Sequence, residues 1–319
     1  MQNLLSTHNN QSIKYNQNVI YDNLLKVEIS SICNSKCVWC WMHNSHKVKK
    51  GFMSLDSFKH FVDINENFFK NESKGIWQIE PFFNGESLVN PYFLDMMEYV
   101  IQKKVQISNH FDTNLSVEID IQRFMSIPWK GIWVNIGGIT KDVHEKNMKN
   151  TKFEIMIKNL TEILKIRSKN VYLKMIPTKN NIHQINQLSN FFSSLGGDPQ
   201  NIIQCSTGFT LPSAASYEDK EYFFSQVVSD ELKNDHLRFT YDLTKNDFGI
   251  KAKRPGCNFL VPGIAFDGRV TTCCHDQLGE INVGNAFEKP IEEILSSEFY
   301  IETIQKCLKQ EFYFCQDCN

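Results

Sequence analysis

Short apolar runs alternate with stretches of helical periodicity along the first two thirds of the chain. Six apolar runs predict buried strands, at residues 24–29, 75–83, 105–111, 131–136, 171–177 and 202–205. Apolar residues at helical spacing lie between them, at residues 55–69, 91–103, 153–166 and 182–195. Strands that alternate with helices in this way predict a parallel sheet covered by helices, either open or curled into a full or partial barrel.

The pattern changes beyond this α/β region. Residues 207–256 are polar and irregular, which is typical of a connector. The runs Phe259–Phe266 and Arg269–Cys273 then flank Asp267–Gly268, a pair that favours a hairpin turn, and Pro290 predicts the start of a helix that runs to about Lys309. We therefore predict four segments: a polar extension at 1–23, a core domain at 24–206, the connector at 207–256 and a small α+β module at 257–319.

Charge and hydropathy exclude several classes of partner. The 319 residues include 34 basic and 36 acidic side chains, so the chain has no bulk attraction for nucleic acid. No run approaches the roughly 18 to 20 apolar residues that span a bilayer, and the polar N-terminus lacks the apolar core of a signal peptide. We expect a cytoplasmic protein without nucleic-acid or membrane partners.

Ten cysteines in a reducing compartment indicate metal ligands, catalytic thiols or small buried hydrophobes. Cys33, Cys37 and Cys40 lie on one loop directly after the first predicted strand. Three such thiolates can bind three irons of a cubane cluster and leave the fourth iron open for chemistry. The same spacing also suits a zinc site completed by His43 or His46, so the cysteines alone leave both alternatives open.

The cysteine loop, with Trp39 before its last cysteine and a strand before its first, resembles the radical S-adenosylmethionine (SAM) superfamily. Residues 82–88 resemble the family's Gly-Gly-Glu-Pro segment, which implies that Asn84, Gly85 and Glu86 meet the methionine amino group of the cofactor. Asn84 and Ser87 depart from that pattern, whereas Glu86 keeps the charged member.

The resemblance continues at the ends of the third and fourth predicted strands. It implies that Thr113, Asn114 and Asn135 approach the ribose and sulfonium of SAM and that Trp39 packs near the adenine. In the fourth segment, Asn135 and Gly137 replace the more usual Ser and Asp. Over residues 24–206 the resemblance implies a partial (β/α)6 barrel and a [4Fe-4S] cluster that reductively cleaves SAM to a 5′-deoxyadenosyl radical.

The C-terminal cysteines resemble the twitch module, the shortened relative of the SPASM domain. That resemblance implies an auxiliary [4Fe-4S] cluster held by Cys257, Cys273, Cys315 and Cys318. Only Cys205, Cys274 and Cys307 then remain, too few for a further four-cysteine cluster. The alternative for this module is a structural zinc ribbon.

Three functions remain open, and the resemblance implies the first two. The first is two-electron oxidation of a small alcohol or amine, such as a sugar or aminocyclitol, with an electron donor of flavodoxin or ferredoxin type. The second is modification of a peptide substrate by epimerisation or crosslinking, and the third is a non-enzymatic zinc protein. His275 and Asp276 are candidate proton acceptors, and Lys174 is a candidate partner for a carboxylate of cofactor or substrate.

Overall fold

A computed structural model of the chain describes residues 23–40, 42, 48–72, 76–176, 178–204, 260–273, 276, 278–312 and 315. Most of the predicted extension and the predicted connector lie outside the described residues, as do Cys205, Cys257, Cys274, His275 and Cys318.

Eleven strands and nine α-helices occur in the described part of the chain. The strands are β1 (Leu24–Val27), β2 (Lys36–Cys37), β3 (Gln78–Glu80), β4 (Gln106–Ile107), β5 (Phe111–Thr113), β6 (Ile132–Ile136), β7 (Met148–Lys149), β8 (Val171–Met175), β9 (Ile202–Gln204), β10 (Gly263–Ile264) and β11 (Val270–Thr271). The helices are α1 (Leu55–Ile64), α2 (Glu66–Lys70), α3 (Phe93–Gln102), α4 (Ile121–Ser126), α5 (Lys141–Asn147), α6 (Phe153–Ile166), α7 (Leu188–Ser194), α8 (Ile291–Leu295) and α9 (Glu298–Leu308). Two 3₁₀ turns lie at Ser87–Val89 and Ile182–Gln187.

The chain forms two compact units. The first is made of segments within residues 1–32, 47–108 and 254–318, and the second of segments within residues 33–46 and 109–253. The loop that carries Cys33, Cys37 and Cys40 belongs to the second unit.

The first unit contains a sheet with the strand order β11-β10-β1-β3-β4. Strand β1 is parallel to both β3 and β10, and β10 and β11 form the hairpin predicted around Asp267–Gly268. One face of the sheet is apolar because Leu25 and Val27 are fully buried there. On the other face Lys26 and Glu80 are register partners and form an ion pair of 2.7 Å.

The second unit contains a parallel sheet with the order β5-β6-β8-β9 and a two-stranded ribbon of β2 and β7. Strands β6 and β8 alternate strictly between buried apolar residues and half-buried polar or aromatic ones. One face therefore packs in the core, and the opposite face carries Trp133, Asn135, Tyr172 and Lys174. We call this second surface the polar face.

The helix predicted over residues 55–69 is wrong as a single helix. Ser54 caps α1 by accepting a hydrogen bond from the Ser57 N–H, as its sequence predicts, but α1 ends at Asn65 and α2 follows. The buried Asn65 amide donates to the Phe61 carbonyl, and its oxygen accepts from the Ile291 N–H. Asn65 has φ of −108° and ψ of 9°, so its backbone leaves the helical conformation, and it is at once the C-cap of α1 and the N-cap of α2.

Two further predicted elements are divided. The strand predicted at 105–111 is wrong because Ile107 pairs with β3 whereas Phe111 pairs with β6, so its two ends belong to different sheets. The helix predicted from Pro290 to Lys309 is also two helices, because Ser297 accepts a hydrogen bond from the Tyr300 N–H and starts α9 as its N-cap.

Candidate functional site

The loop of three cysteines is held by β-pairing with a distant segment. Cys37 is the register partner of Met148 in the antiparallel β2–β7 ribbon, and the Val38 N–H donates to the Asn147 carbonyl at 2.8 Å. The Cys40 N–H donates back to the Cys37 carbonyl at 3.0 Å. The three cysteine residues are half-buried and form no disulfide. The loop is therefore fixed in the structure by backbone hydrogen bonds to a distant segment.

A second anchor joins the first part of the loop to the turn after β5. The Asn34 amide donates to the Ser116 carbonyl at 2.9 Å, and the Asn114 amide donates to Asn34 Oδ1 at 2.8 Å. Asn114 Nδ2 also lies 4.0 Å from Cys33 Sγ. Asn114, which the resemblance assigned to the cofactor, thus lies beside the first cysteine and supports its loop.

Electrostatics inside the loop disfavour three bare thiolates. Burial raises the pKa of Cys37 well above its usual range, and the charges of Cys40 and Cys33 raise it further, while a hydrogen bond from Ser35 lowers it. A bound cationic metal centre would remove this penalty, because it stabilises the thiolate form of each ligand.

Zinc and an iron–sulfur cluster require different arrangements of cysteine ligands. Among the described residues, no group of three or more His, Cys, Asp or Glu side chains is placed so that it could hold a metal ion. A zinc ion gathers its thiolates at about 2.3 Å from one centre, whereas a cubane cluster distributes them over different irons. Three thiols on one loop are the number of protein ligands that a cluster with one open iron requires.

The segment after β3 packs tightly against the strand end that leads into the cysteine loop. Gly85 has φ of +70°, and a Cβ there would lie 2.4 Å from the Ser30 carbonyl oxygen, so glycine is required. The Glu86 N–H donates to the Ile32 carbonyl at 3.0 Å. The Glu86 side chain is buried, and its Oε1 accepts a hydrogen bond from the Leu88 N–H at 3.2 Å. A buried carboxylate of this kind suits the ammonium group of an amino acid.

Asn84 makes a contact that the sequence did not indicate. It hydrogen-bonds to Glu28, a buried carboxylate at the end of β1 that also accepts from the Phe266 N–H at 3.1 Å. Burial raises the pKa of Glu28, and these hydrogen bonds oppose that shift. Glu28, Asn84 and Thr271 line a cavity of about 20 Å³, which has room for one water molecule.

The polar face of the second sheet carries a network of charged and aromatic side chains. Lys174 Nζ lies 2.7 Å from Asp112 Oδ2, and the Asn135 amide donates to Asp112 Oδ1 at 2.6 Å. Lys174 Nζ lies 5.2 Å from the centre of the Trp133 ring, on which the His110 ring stacks at 4.0 Å. Lys174 therefore has its carboxylate partner within the chain.

The sequence indicated Lys174 and Asn135, and it included Asp112 in the segment 112–114 that resembles a cofactor-binding segment, but it did not indicate Trp133. The signal that could have found Trp133 is its alternation with buried residues along β6, which places it on the same face as Asn135. Asp112 lies in β5, whose three residues are all buried, so alternation along that strand could not show which face Asp112 lies on.

Thr113 and Trp39, the two remaining candidates for cofactor binding, lie in different segments. The Thr113 hydroxyl accepts a hydrogen bond from the Leu115 N–H at 2.9 Å and supports a turn in which Leu115 has φ of +53°. Trp39 is half-buried between Val38 and Cys40.

In the C-terminal region, two of the four cysteines assigned to the auxiliary cluster are described. Cys273 and Cys315 are both buried and free of disulfides, while Cys257 and Cys318 lie outside the described residues. Cys307, which was not assigned as a ligand, is buried with its sulfur 3.6 Å from the Thr272 hydroxyl. Buried thiols without a disulfide suit ligation of a metal cluster.

Asp276 lies three residues after Cys273 and closes the turn that follows it. Its carboxylate accepts hydrogen bonds from the Glu280 N–H at 2.8 Å and the Ile281 N–H at 2.9 Å. Burial raises its pKa, and these backbone donors oppose that shift. The contacts of Asp276 are those of a turn-forming residue, and its neighbour His275 lies outside the described residues.

Comparison with known proteins agrees with this architecture. Residues 259–319 match SPASM, an iron–sulfur cluster-binding domain. The probable GTP 3′,8-cyclase of Sulfurisphaera tokodaii is 20% identical over 308 residues, which cover 90% of each chain. No helix among the described residues is both long and apolar enough to cross a membrane.

Two solved structures show the same fold. Native anSMEcpe with bound AdoMet and Cp18Cys peptide is similar with a TM-score of 0.57 and 19% identity, over 90% of this chain and 83% of that one. BtrN in complex with AdoMet and 2-DOIA is similar with a TM-score of 0.51 and 14% identity, over 94% of each chain. The predicted α/β fold with parallel strands and a C-terminal iron–sulfur module is confirmed, and the fold is shared with proteins whose structures contain AdoMet.

Proposed function

We propose that this chain is a radical SAM enzyme that removes a hydrogen atom from its substrate. The observation that carries this proposal is the loop of Cys33, Cys37 and Cys40, which two separate anchors hold and in which no cysteine forms a disulfide. A structural zinc site would need a fourth ligand, for which His43 and His46 are the candidates, whereas a cluster with an open iron needs only the three cysteines.

The assigned residues have separate roles in the proposed reaction. The three cysteines hold a [4Fe-4S] cluster, and the buried Glu86 carboxylate binds the ammonium group of SAM. When bound and reduced, the cluster and SAM supply a 5′-deoxyadenosyl radical that takes a hydrogen atom. Asn135, hydrogen-bonded to Asp112, offers an amide on the polar face to the ribose or substrate.

We further propose that the net reaction is the two-electron oxidation of a C–H bond that bears a hydroxyl or amino group. Removal of the hydrogen atom leaves a carbon radical. Conversion of that radical to a carbonyl or imine would require loss of one O–H or N–H proton to solvent or a nearby carboxylate and loss of one electron, for which a cluster held by the C-terminal cysteines would be the acceptor. A cluster ligated by Cys257, Cys273, Cys315 and Cys318 has no open iron and suits this electron transfer.

Two observations support a small polar substrate. The polar face carries the ion pair of Asp112 and Lys174, and charged groups on a protein wall favour hydroxyl or amino groups over apolar ones. The similarity to BtrN, whose structure contains 2-DOIA, extends over 94% of both chains. A peptide substrate is the second candidate, because the similar structure of anSMEcpe contains a peptide. An electron donor of flavodoxin or ferredoxin type would reduce the first cluster.

The experiment that tests the proposal is turnover under anaerobic conditions in deuterium oxide, with candidate alcohols, amines and peptides. Oxidation gives a product two mass units lighter than the substrate, together with one deoxyadenosine for each product molecule. An unoxidised product with carbon-bound deuterium would replace oxidation by epimerisation. Failure to form deoxyadenosine with any reductant, in protein loaded with iron and sulfide, would contradict the radical SAM proposal as a whole.

A further inference from the structure

Ser35 lies between two of the cluster cysteines and contacts both of their sulfur atoms. Its hydroxyl oxygen lies 3.0 Å from Cys37 Sγ, and its backbone N–H donates to Cys33 Sγ at 3.4 Å. The side chain is fully buried, so water does not compete for the hydroxyl. One residue therefore directs two hydrogen-bonding groups at two candidate ligands.

We propose that the Ser35 hydroxyl donates a hydrogen bond to the Cys37 thiolate and raises the reduction potential of the cluster bound there. The inference rests on the proposed function, because it requires a cluster on this loop. A thiolate bound to iron carries no hydrogen, so in the loaded protein the hydroxyl must be the donor of this contact. The Ser35 hydroxyl is then a positioning and tuning group for the ligand.

The direction of the effect follows from charge. One-electron reduction adds a negative charge to the cluster and its thiolates, and a donor aimed at a thiolate sulfur stabilises the more negative state. Removing the donor therefore makes reduction harder. Hydrogen bonds to cluster sulfurs and the polarity around them are among the factors that set such potentials.

The geometry allows the hydroxyl to be tested separately from the rest of the loop. Ser35→Ala removes the O–H donor but keeps the backbone N–H that contacts Cys33. Ser35→Thr restores a hydroxyl. Ser30→Ala is a matched control, because Ser30 is also fully buried and its hydroxyl donates to the Ile32 carbonyl at 2.8 Å. That control removes a buried serine hydroxyl that contacts no sulfur in the described structure.

The measurement is the midpoint potential of the first cluster, followed by electron paramagnetic resonance during stepwise reduction. The signal of this cluster is identified as the one lost when Cys33, Cys37 and Cys40 are replaced together. We expect Ser35→Ala to lower the equilibrium constant for reduction about tenfold, which is about 59 mV for one electron. Ser35→Thr should recover most of the shift, and Ser30→Ala should leave the potential unchanged.

Each outcome separates the inference from the proposed function. If the wild-type protein binds no cluster on this loop, both the proposed function and the tuning role of Ser35 are contradicted. A loaded cluster with the same potential in wild type and Ser35→Ala would overturn the tuning role alone. If Ser35→Ala and Ser35→Gly both fail to bind iron while Ser35→Thr binds it, the hydroxyl is needed for loop structure, and the tuning proposal is again overturned.

Discussion

Cys37 and Met148 are register partners in a two-stranded antiparallel ribbon. Met148 follows α5 directly, and α5 begins shortly after β6 ends, so the middle cysteine of the loop depends on how that distant segment packs. Gly137 lies between β6 and α5 and holds the end of α5 in place, because its carbonyl accepts hydrogen bonds from Asn147 and Asn181. A substitution at Gly137 that displaces α5 and β7 should therefore also disturb the loop of Cys33, Cys37 and Cys40.

Gly137→Ala tests this link. A Cβ at this position would lie 2.7 Å from the His144 carbonyl and 3.0 Å from the Met148 side chain, so α5 and β7 must move. We expect a loss of about 1–3 kcal/mol in the free energy of unfolding and less iron bound to the first site, measured by denaturant unfolding and iron assay. Gly131→Ala, whose nearest contact would be 3.1 Å, is the control and should bind iron normally. Equal iron content in both variants would contradict the link.

Replacing Cys33, Cys37 and Cys40 together by Ala should abolish cleavage of SAM. Iron should fall from about eight to about four atoms per chain, because a second cluster on the C-terminal cysteines remains. Cys307→Ala serves as the control. Its sulfur contacts the Thr272 hydroxyl and it is not an assigned ligand, so iron content should stay near eight. Zinc without labile sulfide in the wild-type protein would contradict both clusters.

Glu86→Gln should weaken SAM binding without unfolding the segment. Glutamine keeps an oxygen that can accept the Leu88 N–H but removes the charge that binds an ammonium group. Loss of a charged hydrogen bond of about 1.5–3 kcal/mol corresponds to a roughly 10- to 100-fold higher Kd for SAM. The Kd is measured by equilibrium binding of SAM to protein that contains its iron–sulfur clusters in the oxidised state. The control is Glu154→Gln, an exposed change on α6, and an equal loss of affinity in both variants would argue against the assignment.

The predicted pH dependence of stability comes from His144. It is fully buried, and its Nδ1 accepts the Gly137 N–H at 3.2 Å, so the ring is neutral with its proton on Nε2. Burial lowers its pKa to about 4, whereas the unfolded chain has a value of about 6.5. The unfolded state therefore binds the proton first as the pH falls below 6.5.

The stabilisation from neutral His144 is complete above about pH 6.5 and is lost as the pH falls toward 4. The free energy of unfolding should drop by about 2 kcal/mol between pH 7 and 5. His144→Gln does not titrate and should show a flatter dependence in the same urea series. Glu28 and Asp276, whose pKa values are raised, are present in both proteins, so the difference reports His144. Parallel pH profiles would show that His144 is not the cause.

The main strands could be predicted from sequence because their signals are local. The runs at 131–136 and 171–177 correspond to β6 and β8, whose residues alternate between the core and the polar face. The hairpin of β10 and β11 also followed from Asp267–Gly268. These elements depend on neighbours in the sequence, which periodicity and turn propensity report.

The pairings that assemble the site could not be predicted in the same way. Strands β2 and β7 have two residues each, too few for any periodicity, and their pairing joins segments far apart in the sequence. The parallel pairing of β10 with β1 is equally non-local. For the candidate site, sequence indicated the cysteines and Glu86, whereas the contacts of Asn114 with Asn34 and of Lys174 with Asp112 required the structure.

A double-mutant cycle at Asp112 and Lys174 separates the contribution of their ion pair to stability from its contribution to function. Both side chains are largely buried, at 10% and 14% exposure, so removing one partner leaves an unpaired charge. Asp112→Asn or Lys174→Met alone should destabilise the fold by about 3–5 kcal/mol. The double variant removes both charges and should recover most of that loss, measured by denaturant unfolding.

Turnover should not follow stability if the pair contacts the substrate. Without substrate, we expect the double variant and the wild type to form deoxyadenosine at the same rate, since the cysteines and Glu86 are intact in both. Oxidation of substrate should stay low, with a raised KM, because the polar face has lost the charges that orient hydroxyl or amino groups. Recovery of both stability and turnover in the double variant would mean that the pair only stabilises the sheet, and the substrate must then contact other residues.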